Sequence, residues 1–370
     1  MNGPGMIGVV IVDDSRTIRS LVTEIVSSEP GMRVLGAAPD PLSGEEMIRQ
    51  HRPDVVLLDV EMPGSDGLVF LERLMRTMPL PVVMLSALTT RGSDATLRAL
   101  ELGAVDFITK PVTAHEDAVV LLAREIVAKV RVAAGARSRK PRDGQAIAAA
   151  YFPATTPRHL LAIGASTGGI AALTTVLAQL PLNAPPTLVV QHMPVLFTRR
   201  LAERLDQTCE VRVKEGEDGE RLRSGYVYIA PGGEHVRVHR AGDGLRLSLD
   251  RDLPVNFSRP SVDVLFASVA ATVPKKSVGV LLTGMGKDGA RGLLQMRQKG
   301  AYTITQDESS SLIYGMPGAA VALDASDEIV PLADVAARIG RAFERIVKNN
   351  RERVRLAVID GGVTTEGRVL

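Results

Sequence analysis

Residues 160–192 read LLAIGASTGGIAALTTVLAQLPLNAPPTLVVQH, and this segment decides how the second half of the chain folds. Two apolar runs, residues 160–163 and 187–190, flank a glycine-rich turn and a stretch of helical period near residues 170–179. Short apolar runs separated by a helix are typical of buried parallel strands joined by a right-handed crossover. The pattern therefore predicts a strand–helix–strand unit.

The turn in this unit has the composition of a nucleophile turn. Its residues, Gly164-Ala165-Ser166-Thr167-Gly168, match the G-x-S-x-G pattern between a predicted strand and a predicted helix. The glycines permit a tight turn that exposes the Ser166 hydroxyl, and the following helix offers free N–H groups to an oxyanion. We expect Ser166 to be a catalytic nucleophile. The alternative is a glycine turn that binds a phosphate or has no ligand.

His192 is the candidate general base. It lies 26 residues after Ser166, which is about the length of one strand–helix–strand unit, and it follows the second strand. Neighbouring strands are about 4.8 Å apart, so the two strand ends would bring His192 within reach of the Ser166 hydroxyl. A histidine there could remove the hydroxyl proton and later protonate the leaving group. Without Ser166 nearby, His192 would be interpreted as a polar strand terminus.

The third candidate is Asp288, within the segment TGMGKDG at residues 283–289. This segment follows a predicted strand at residues 277–282, and Asp288 opens the next predicted helix, where it could be a simple N-cap. As a triad member it would orient His192 and stabilise the imidazolium. The glycines would also let the Met285 amide approach the oxyanion. The chain order Ser, His, Asp differs from that of α/β-hydrolases and of the two major serine protease types.

The first half of the chain alternates short apolar strands with helices. Five strands are predicted at residues 8–12, 33–37, 55–58, 82–85 and 105–108, with helices such as residues 17–28 and 68–78 between them. Apolar strands interleaved with helices indicate a parallel sheet covered on both faces. We therefore predict an α/β chain with a five-stranded, doubly wound first domain and a Rossmann-like second domain whose sheet is mainly parallel.

Polar residues end the strands of the first domain, at the edge where open parallel sheets bind ligands. They are Asp13, Asp14, Asp59, Ser86 and Lys110. The three carboxylates form a hard oxygen site suited to Mg²⁺. Lys110 and Ser86 could hold phosphoryl oxygens while Asp59 attacks phosphorus and becomes an aspartyl phosphate. Taken singly, each residue could instead be a helix cap or part of a loop.

Composition restricts the function classes open to the chain. Its 370 residues predict two domains and a connector, its formal net charge is +2, and aromatic residues make up 3%. Neither the charge nor the aromatic content supports a nucleic-acid partner. The single cysteine, Cys209, rules out an internal disulfide and a multi-cysteine metal site, and it is typical of a reducing cytoplasm. We therefore expect a cytoplasmic protein.

A basic segment separates the two predicted domains. Residues 129–158 contain seven Lys or Arg residues and one Asp, a net +6, together with several Pro and Gly residues and no apolar period. We predict a solvated linker, and a basic patch for an acidic partner is the alternative. The predicted boundaries are a first domain at residues 1–128, a catalytic domain at residues 159–350 and a tail at residues 351–370.

One segment could be mistaken for a membrane span. Residues 159–198 contain no Asp, Glu, Lys or Arg, and their first part is long enough to cross a bilayer. The glycine turn would break a lipid-facing helix in two, so we predict a buried strand, a turn and a buried helix instead. The opening residues, MNGPG, lack the charges of a signal peptide. No membrane insertion is expected.

Four motifs of the first domain resemble the receiver domain of bacterial response regulators. They are IVDDSRTIR, LLDVEMPGSDGL, LSA and DFITKP, which extend over about residues 6–128. The resemblance implies phosphoryl transfer from a histidine kinase to Asp59. The other site residues that it implies are the Mg²⁺ ligands Asp13, Asp14, Asp59 and the Glu61 backbone, and the switch residues Ser86, Phe107 and Lys110.

Six separated motifs of the second domain resemble the chemotaxis protein-glutamate methylesterases, the CheB family. In order they are GASTGG, QHMP, APGGEH, RPSVDVLF, LLTGMGKDGA and YGMPGAA. The resemblance implies a carboxylic ester hydrolase that removes γ-glutamyl methyl esters from the cytoplasmic helices of methyl-accepting chemotaxis receptors. It also implies deamidation of receptor glutamines and no cofactor in this domain. The site residues that it implies are the triad Ser166, His192 and Asp288, with Thr167 and the Met285 amide beside the oxyanion.

The tandem arrangement predicts regulation. We expect the unphosphorylated first domain to pack over the edge that carries Ser166 and to block long receptor helices. Phosphorylation of Asp59 would weaken this packing, because a change of charge biases an interface with two states.

Other interpretations remain open from the sequence. A regulator that binds DNA would need a basic recognition helix, and a dinucleotide sensor would need a G-x-G-x-x-G turn; neither pattern is found. An esterase that acts outside chemotaxis would have the same catalytic residues. His235 and His239 share one face of a strand and could begin a metal site. Arg199, Arg200 and Arg204 lie on one helix, which is either solvated or meets an acidic receptor surface.

Overall fold

The first domain is a parallel sheet with helices on both faces. The computed structural model describes residues 5–62, 65–87, 89–111, 116–136, 150–156, 158–242 and 244–360. The strands of this domain are β1 (Ile7–Val12), β2 (Met32–Ala38), β3 (Val55–Asp59), β4 (Glu61–Met62), β5 (Ser65–Asp66), β6 (Val82–Ser86) and β7 (Asp106–Thr109). Its helices are α1 (Arg16–Ser28), α2 (Pro41–His51), α3 (Gly67–Thr77), α4 (Thr90–Glu101) and α5 (Glu116–Gly135).

The sheet order explains why the strands are apolar from end to end. The five main strands lie in the order β2-β1-β3-β6-β7, and every pair of neighbours is parallel. In β1, Val9 and Ile11 pack with α1 and α5, whereas Val10 and Val12 belong to the core on the other face. Both faces are therefore buried, and all five residues of β3 are buried with them.

The second domain is built on a larger sheet of the same kind. Its strands are β8 (Leu160–Ala165), β9 (Thr187–Gln191), β10 (Arg212–Glu215), β11 (Tyr226–Ile229), β12 (His235–Ala241), β13 (Gly244–Asp250), β14 (Ser277–Leu281), β15 (Tyr302–Gln306) and β16 (Glu328–Val330). Its helices are α6 (Gly169–Leu177), α7 (Val195–Thr208), α8 (Val262–Thr272), α9 (Ala290–Gln298), α10 (Met316–Ala322) and α11 (Val335–Asp360), with two 3-10 turns, Pro274–Lys276 and Leu332–Asp334.

The seven-stranded sheet of this domain has a point where the strand order reverses. Its order is β10-β11-β9-β8-β14-β15-β16, with parallel pairing throughout, and β12 and β13 form a separate antiparallel hairpin. The chain leaves β8 toward β9 on one side, and β14 joins β8 later on the other. In open α/β sheets, ligands bind at the carboxyl ends of the strands at such a point. The predicted α/β architecture of both domains is confirmed.

The segment that could be mistaken for a membrane span forms β8, a glycine turn, the nine-residue helix α6 and β9. Its strands and helix are largely buried in the second domain. Among the described residues, none of the helices combines the length and the apolar character that crossing a bilayer requires.

Two helices are longer than the predicted domain boundaries suggest. Helix α5 extends to Gly135 and covers the first seven residues of the predicted linker, because Val130 and Ala133 bury themselves against the first sheet. Helix α11 continues to Asp360, across the predicted start of the tail. The basic residues Arg137, Arg139, Lys140 and Arg142 lie outside the described residues. Further on, Phe152 is buried against Phe343 of α11, with ring centroids 6.3 Å apart.

Candidate active site

Ser166 lies directly after the buried strand β8. The turn that follows needs glycine at two positions: Gly168 has a φ of +77°, and a Cβ at Gly169 would lie 2.0 Å from the Gln191 side-chain oxygen. Gln191 Nε2 donates a hydrogen bond of 2.9 Å to the Ser166 carbonyl, which fixes the turn to the neighbouring strand. Helix α6 begins at Gly169, so Ser166 stands at the N-terminal end of a helix.

His192 lies beside Ser166 because of the strand register. Strand β8 pairs with β9 with Ala165 opposite Gln191, so the next residues in register are Ser166 and His192. The His192 amide donates a 3.2 Å hydrogen bond to the Ala165 carbonyl and continues the ladder by one step. The predicted strand–helix–strand unit therefore brings these two residues to the same level of neighbouring strand ends.

Asp288 completes a line of three residues across the sheet edge. It follows β14, the other neighbour of β8, and its Oδ2 lies 2.8 Å from His192 Nε2. With the Nε2 proton donated to this carboxylate, His192 Nδ1 is the ring nitrogen left to accept a proton. Asp288 is almost fully buried, and His192 and Ser166 are half-buried.

Several donors hold the Asp288 carboxylate in its charged form. The Ser261 hydroxyl (2.7 Å), the Val262 amide (2.7 Å) and the Asn256 side-chain amide (2.9 Å) all donate to it. Burial alone would raise the pKa of Asp288, but the hydrogen bonds from His192, Asn256 and Ser261 outweigh burial and lower the pKa to about 2. The acid beside His192 is therefore ionised at neutral pH.

Sequence reasoning did not identify Asn256, Ser261 and the start of α8 as partners of Asp288. Ser261 lies within the RPSVDVLF motif, so the sequence marks this segment as part of the family resemblance. The motif does not reveal that the serine contacts Asp288. No sequence pattern marks Asn256, because its contact with Asp288 depends on a left-handed backbone (φ +51°) that turns its side chain toward the carboxylate. Asn256 also donates to Asp263, whose pKa is raised by burial and by the nearby charge of Asp288.

The two residues predicted beside the oxyanion occupy different environments. Gly284 packs so closely on Ser166 that a Cβ at Gly284 would lie 2.8 Å from the serine Cβ, and the next residue, Met285, is exposed. Thr167 is buried, and its carbonyl accepts a hydrogen bond from the Thr283 hydroxyl. Its hydroxyl donates to Asp106 of the first domain at 2.5 Å.

The predicted phosphate site of the first domain is also assembled at one sheet edge. Asp13, Asp14 and Asp59 each present a carboxylate oxygen within 4.8 Å of the others, which is the donor set that Mg²⁺ prefers. Lys110 Nζ lies 2.7 Å from Asp13 Oδ2 and 2.8 Å from Asp59 Oδ2. Burial raises the pKa of Asp59 to about 6 in spite of this ion pair. The Glu61 amide donates to Asp59 Oδ1 at 3.2 Å.

Ser86 and Phe107, two of the predicted switch residues, contact other side chains in the structure. The Ser86 hydroxyl is buried and accepts a 2.7 Å hydrogen bond from Thr96 on α4. Phe107 is buried as well, with its ring stacked on Phe197 of the second domain at 4.6 Å between centroids and 16° between planes. Ser86 therefore contacts α4 within the first domain, and Phe107 lies at the contact between the two domains.

Two family profiles match the chain. The profile described as CheB methylesterase matches residues 161–339, and the response regulator receiver domain matches residues 9–120. The chain is 52% identical over 336 residues to the protein-glutamate methylesterase/protein-glutamine glutaminase of Bordetella bronchiseptica, covering 90% of this chain and 96% of that protein. The chain belongs to the CheB methylesterase family.

Other known proteins are similar to the chain. A relative of the same printed name from Nitrosomonas europaea is 50% identical over 358 residues, which are 95% of this chain and 99% of the relative. The crystal structure of the Thermotoga maritima CheB methylesterase catalytic domain is 38% identical, with a TM-score of 0.48, and covers 50% of this chain and 97% of that one. The family assignment agrees with a methylesterase domain in place of a DNA-binding or dinucleotide-sensing module.

The receiver domain lies against the methylesterase domain beside Ser166. Asp106, the first residue of β7, accepts the hydrogen bond from Thr167, the neighbour of the serine. Helix α4 packs on α7, where Arg204 pairs with Glu101 and Arg200 lies 3.5 Å from Asp94. These two arginines contact acidic residues of the receiver, an arrangement that was not among the predicted alternatives, and more than a third of each side chain stays exposed.

His235, one of the two histidines suggested as the start of a metal site, has a structural role. His235 is buried, its Nδ1 accepts a 3.1 Å hydrogen bond from the Ser261 amide, and its Nε2 donates to the Leu253 carbonyl at 3.2 Å. His239 is exposed further along the same strand. Both ring nitrogens of His235 are therefore used to hold the segments that surround Asp288. Within the described ranges, the cluster of acids or histidines that could hold a metal is Asp13, Asp14 and Asp59.

Proposed function

We propose that this chain is a phosphorylation-controlled protein-glutamate methylesterase and protein-glutamine glutaminase that acts on methyl-accepting chemotaxis receptors. The observation that carries the proposal is the meeting of Ser166, His192 and Asp288 at one sheet edge, next to a receiver domain. The substrate is proposed from the relatives, which are named protein-glutamate methylesterase/protein-glutamine glutaminase.

In the proposed reaction, the Ser166 hydroxyl attacks the carbonyl carbon of a γ-glutamyl methyl ester. His192 Nδ1 takes the hydroxyl proton, while Nε2 stays hydrogen-bonded to the ionised Asp288. The N-terminal end of α6, Thr167 and the Met285 amide stabilise the negative oxygen of the tetrahedral intermediate. His192 then gives its proton to the departing methoxy group, and methanol leaves.

Water completes the cycle. His192 removes a proton from water, the resulting hydroxide attacks the acyl-serine, and the glutamate carboxylate is released as Ser166 recovers its proton. A receptor glutamine reacts in the same way, with ammonia as the leaving group in place of methanol. The low pKa of Asp288 supports both reactions, because an ionised acid stabilises the imidazolium that forms twice in each cycle.

In the receiver domain, Asp59 is the proposed acceptor of a phosphoryl group from the chemotaxis histidine kinase. Asp13, Asp14, Asp59 and the Glu61 backbone would hold Mg²⁺, which supplies positive charge for the phosphoryl oxygens. Lys110 already contacts Asp59 and can neutralise the new charge. The Ser86 hydroxyl would leave Thr96 to bind a phosphoryl oxygen.

Regulation is proposed to act through the contact between the domains. In the arrangement described above, Asp106 holds the Thr167 hydroxyl and the receiver occupies the side of the site that includes α7. When Ser86 moves toward the phosphoryl group, the space beside Phe107 changes, and the stacking of Phe107 on Phe197 is lost. The domains then separate, and a long receptor helix can reach Ser166.

We propose the cytoplasm as the compartment, where receptor helices, kinase and a reduced Cys209 would all be found. The proposed division of labour assigns the switch to residues 1–128 with the rest of α5, and catalysis to residues 159–350.

Methanol release from methylated receptor, with and without a phosphodonor, tests the function. We expect release that increases on phosphorylation and is abolished by Ser166→Ala, while the circular dichroism spectrum stays that of the wild type. Turnover by Ser166→Ala would assign the chemistry to another residue. Absence of release from the wild type with every methylated receptor, together with hydrolysis of another protein ester, would favour a target outside chemotaxis.

A further inference from the structure

A strained turn lies next to the triad. The Val255 amide donates to the Ser258 carbonyl (3.1 Å) and the Ser258 amide donates back to the Val255 carbonyl (3.0 Å), which closes a two-residue turn. Both central residues are left-handed, with φ of +51° at Asn256 and +63° at Phe257. Turns of this type favour asparagine or glycine, and a phenylalanine in the second position is disfavoured sterically.

The Phe257 side chain is fully exposed to solvent, so packing within the chain does not explain its position. Leu253 on the same loop is also exposed, and Val255 is partly so. The left-handed backbone of Phe257 costs free energy, and its exposed ring contributes no burial that would offset this cost. Strained residues of this kind are concentrated at sites where a ligand or partner is bound.

The loop that presents Phe257 is fixed to the catalytic residues. The Asn256 side chain donates to Asp288 (2.9 Å) and to Asp263 (2.8 Å), so the residue before Phe257 contacts the acid of the triad. His235 holds the Leu253 carbonyl, and Arg259 Nη1 donates to the carbonyls of residues 251 and 252. These hydrogen bonds hold the backbone on both sides of Phe257 and fix the loop to the segments around Asp288.

We propose that Phe257 is a substrate-docking residue that contacts apolar side chains of the receptor helix carrying the methyl ester. This inference rests on the proposed function. The reacting ester is at the end of one glutamate side chain, so the helix that carries it must pass over Ser166, and the loop of Phe257 is attached to the triad on its Asp288 side. Residues three or four positions from that glutamate lie on the same helix face, about 5–6 Å away, where an exposed ring can contact them.

The receiver domain does not cover this residue. Phe257 is exposed while Asp106 is bonded to Thr167, so the ring is accessible with the domains in contact. Phosphorylation therefore changes the share of molecules whose domains are separated and can bind the receptor helix, and we expect it to leave the contribution of the Phe257 ring in those molecules unchanged.

The test is Phe257→Gly, which removes the ring and also relieves the left-handed backbone, so loss of folding is not expected. Methanol release is measured on a methylated receptor fragment and on N-acetyl-glutamate γ-methyl ester. We expect KM for the receptor to rise about tenfold with a much smaller change in kcat, as for loss of one buried aromatic contact. The ratio of kcat/KM on receptor to kcat/KM on the small ester should fall by the same factor, with or without phosphodonor.

Two further variants serve as comparisons. Phe257→Met keeps an apolar side chain and should restore most of the receptor affinity. Leu182→Ser removes an exposed leucine from the loop between α6 and β9, at the opposite end of the strands, and should leave KM at the wild-type value.

Three results would overturn the inference. One is an unchanged receptor KM in Phe257→Gly, and another is an equal loss on both substrates, which indicates a structural role. The third is a change in the elution volume of the chain, which indicates pairing of two copies through this ring. A wild type that releases no methanol from receptor refutes the proposed function, and the inference with it, and is distinct from all three.

Discussion

The hydrogen bond from Thr167 to Asp106 gives the most direct test of how the receiver restrains catalysis. Asp106→Ala removes the acceptor on the receiver side and leaves every residue of the triad in place. The bond is buried and its acceptor is a carboxylate, and a hydrogen bond to a charged group contributes about 1.5–3 kcal/mol. Losing it should therefore shift the equilibrium between docked and separated domains by roughly 10- to 150-fold.

The assay is methanol release from methylated receptor in the absence of phosphodonor. We expect the basal rate of Asp106→Ala to rise by about tenfold or more, up to the rate of the phosphorylated wild type, and the stimulation by phosphodonor to shrink accordingly. Asp106→Asn keeps an oxygen in place without the charge and should give an intermediate basal rate. Lys129, which lies 3.5 Å from Asp106, keeps its ion pair with Glu125 at 2.7 Å, so the receiver should remain folded.

A charge exchange between Glu101 and Arg204, a second contact of the same domain interface, provides the matched control. Glu101→Arg places two positive charges opposite each other on α4 and α7 and should raise the basal rate, and the double variant Glu101→Arg, Arg204→Glu should lower it again. Glu45→Ala, which breaks ion pairs within the receiver only, should have no effect. A folded Asp106→Ala with the basal rate of the wild type would refute the view that this contact restrains the enzyme.

Further predictions concern the two sites. Asp59→Asn should abolish stimulation by phosphodonor, measured as the ratio of methanol release with and without it. Asn256→Ala removes one donor from Asp288, so kcat should fall about tenfold and the pKa of the Asp288 carboxyl should rise, as followed by NMR titration. Because Asp288 has a pKa near 2 against 3.8 unperturbed, it contributes about 2 kcal/mol of stability above pH 4 that is lost as pH falls toward 2. Asp288→Asn should therefore show a shallower acid denaturation curve over that interval.

The residues of the site that could be predicted from sequence are those that directly follow a buried strand. Ser166 and His192 follow neighbouring apolar strands, and the length of the crossover sets both the pairing and the level of the strand ends. Asp13, Asp59 and Lys110 were found for the same reason, because buried parallel strands are recognisable as apolar runs and their next residues meet at one edge.

The parts that could not be predicted depend on how separate segments dock. Nothing in the composition of α7 indicates that Arg204 meets Glu101, because a basic residue on an amphipathic helix has the same pattern whether it faces water or another domain. The contact of Asp106 with Thr167 joins residues 61 positions apart across two domains. Asn256 was missed because a left-handed backbone at a non-glycine residue leaves no periodic signal.

One strand connects the two functions of the chain. Strand β7 begins at Asp106, which contacts Thr167 beside the nucleophile, and the next residue after its end is Lys110, which contacts Asp59. Four residues of extended strand span about 13 Å, a distance that a hydrogen-bonded strand holds constant. Under the proposed mechanism, a phosphoryl group on Asp59 would therefore not act by stretching this strand. We propose that it acts on the side chains beside the strand, and Phe107, the second residue of β7, contacts both the receiver core and Phe197.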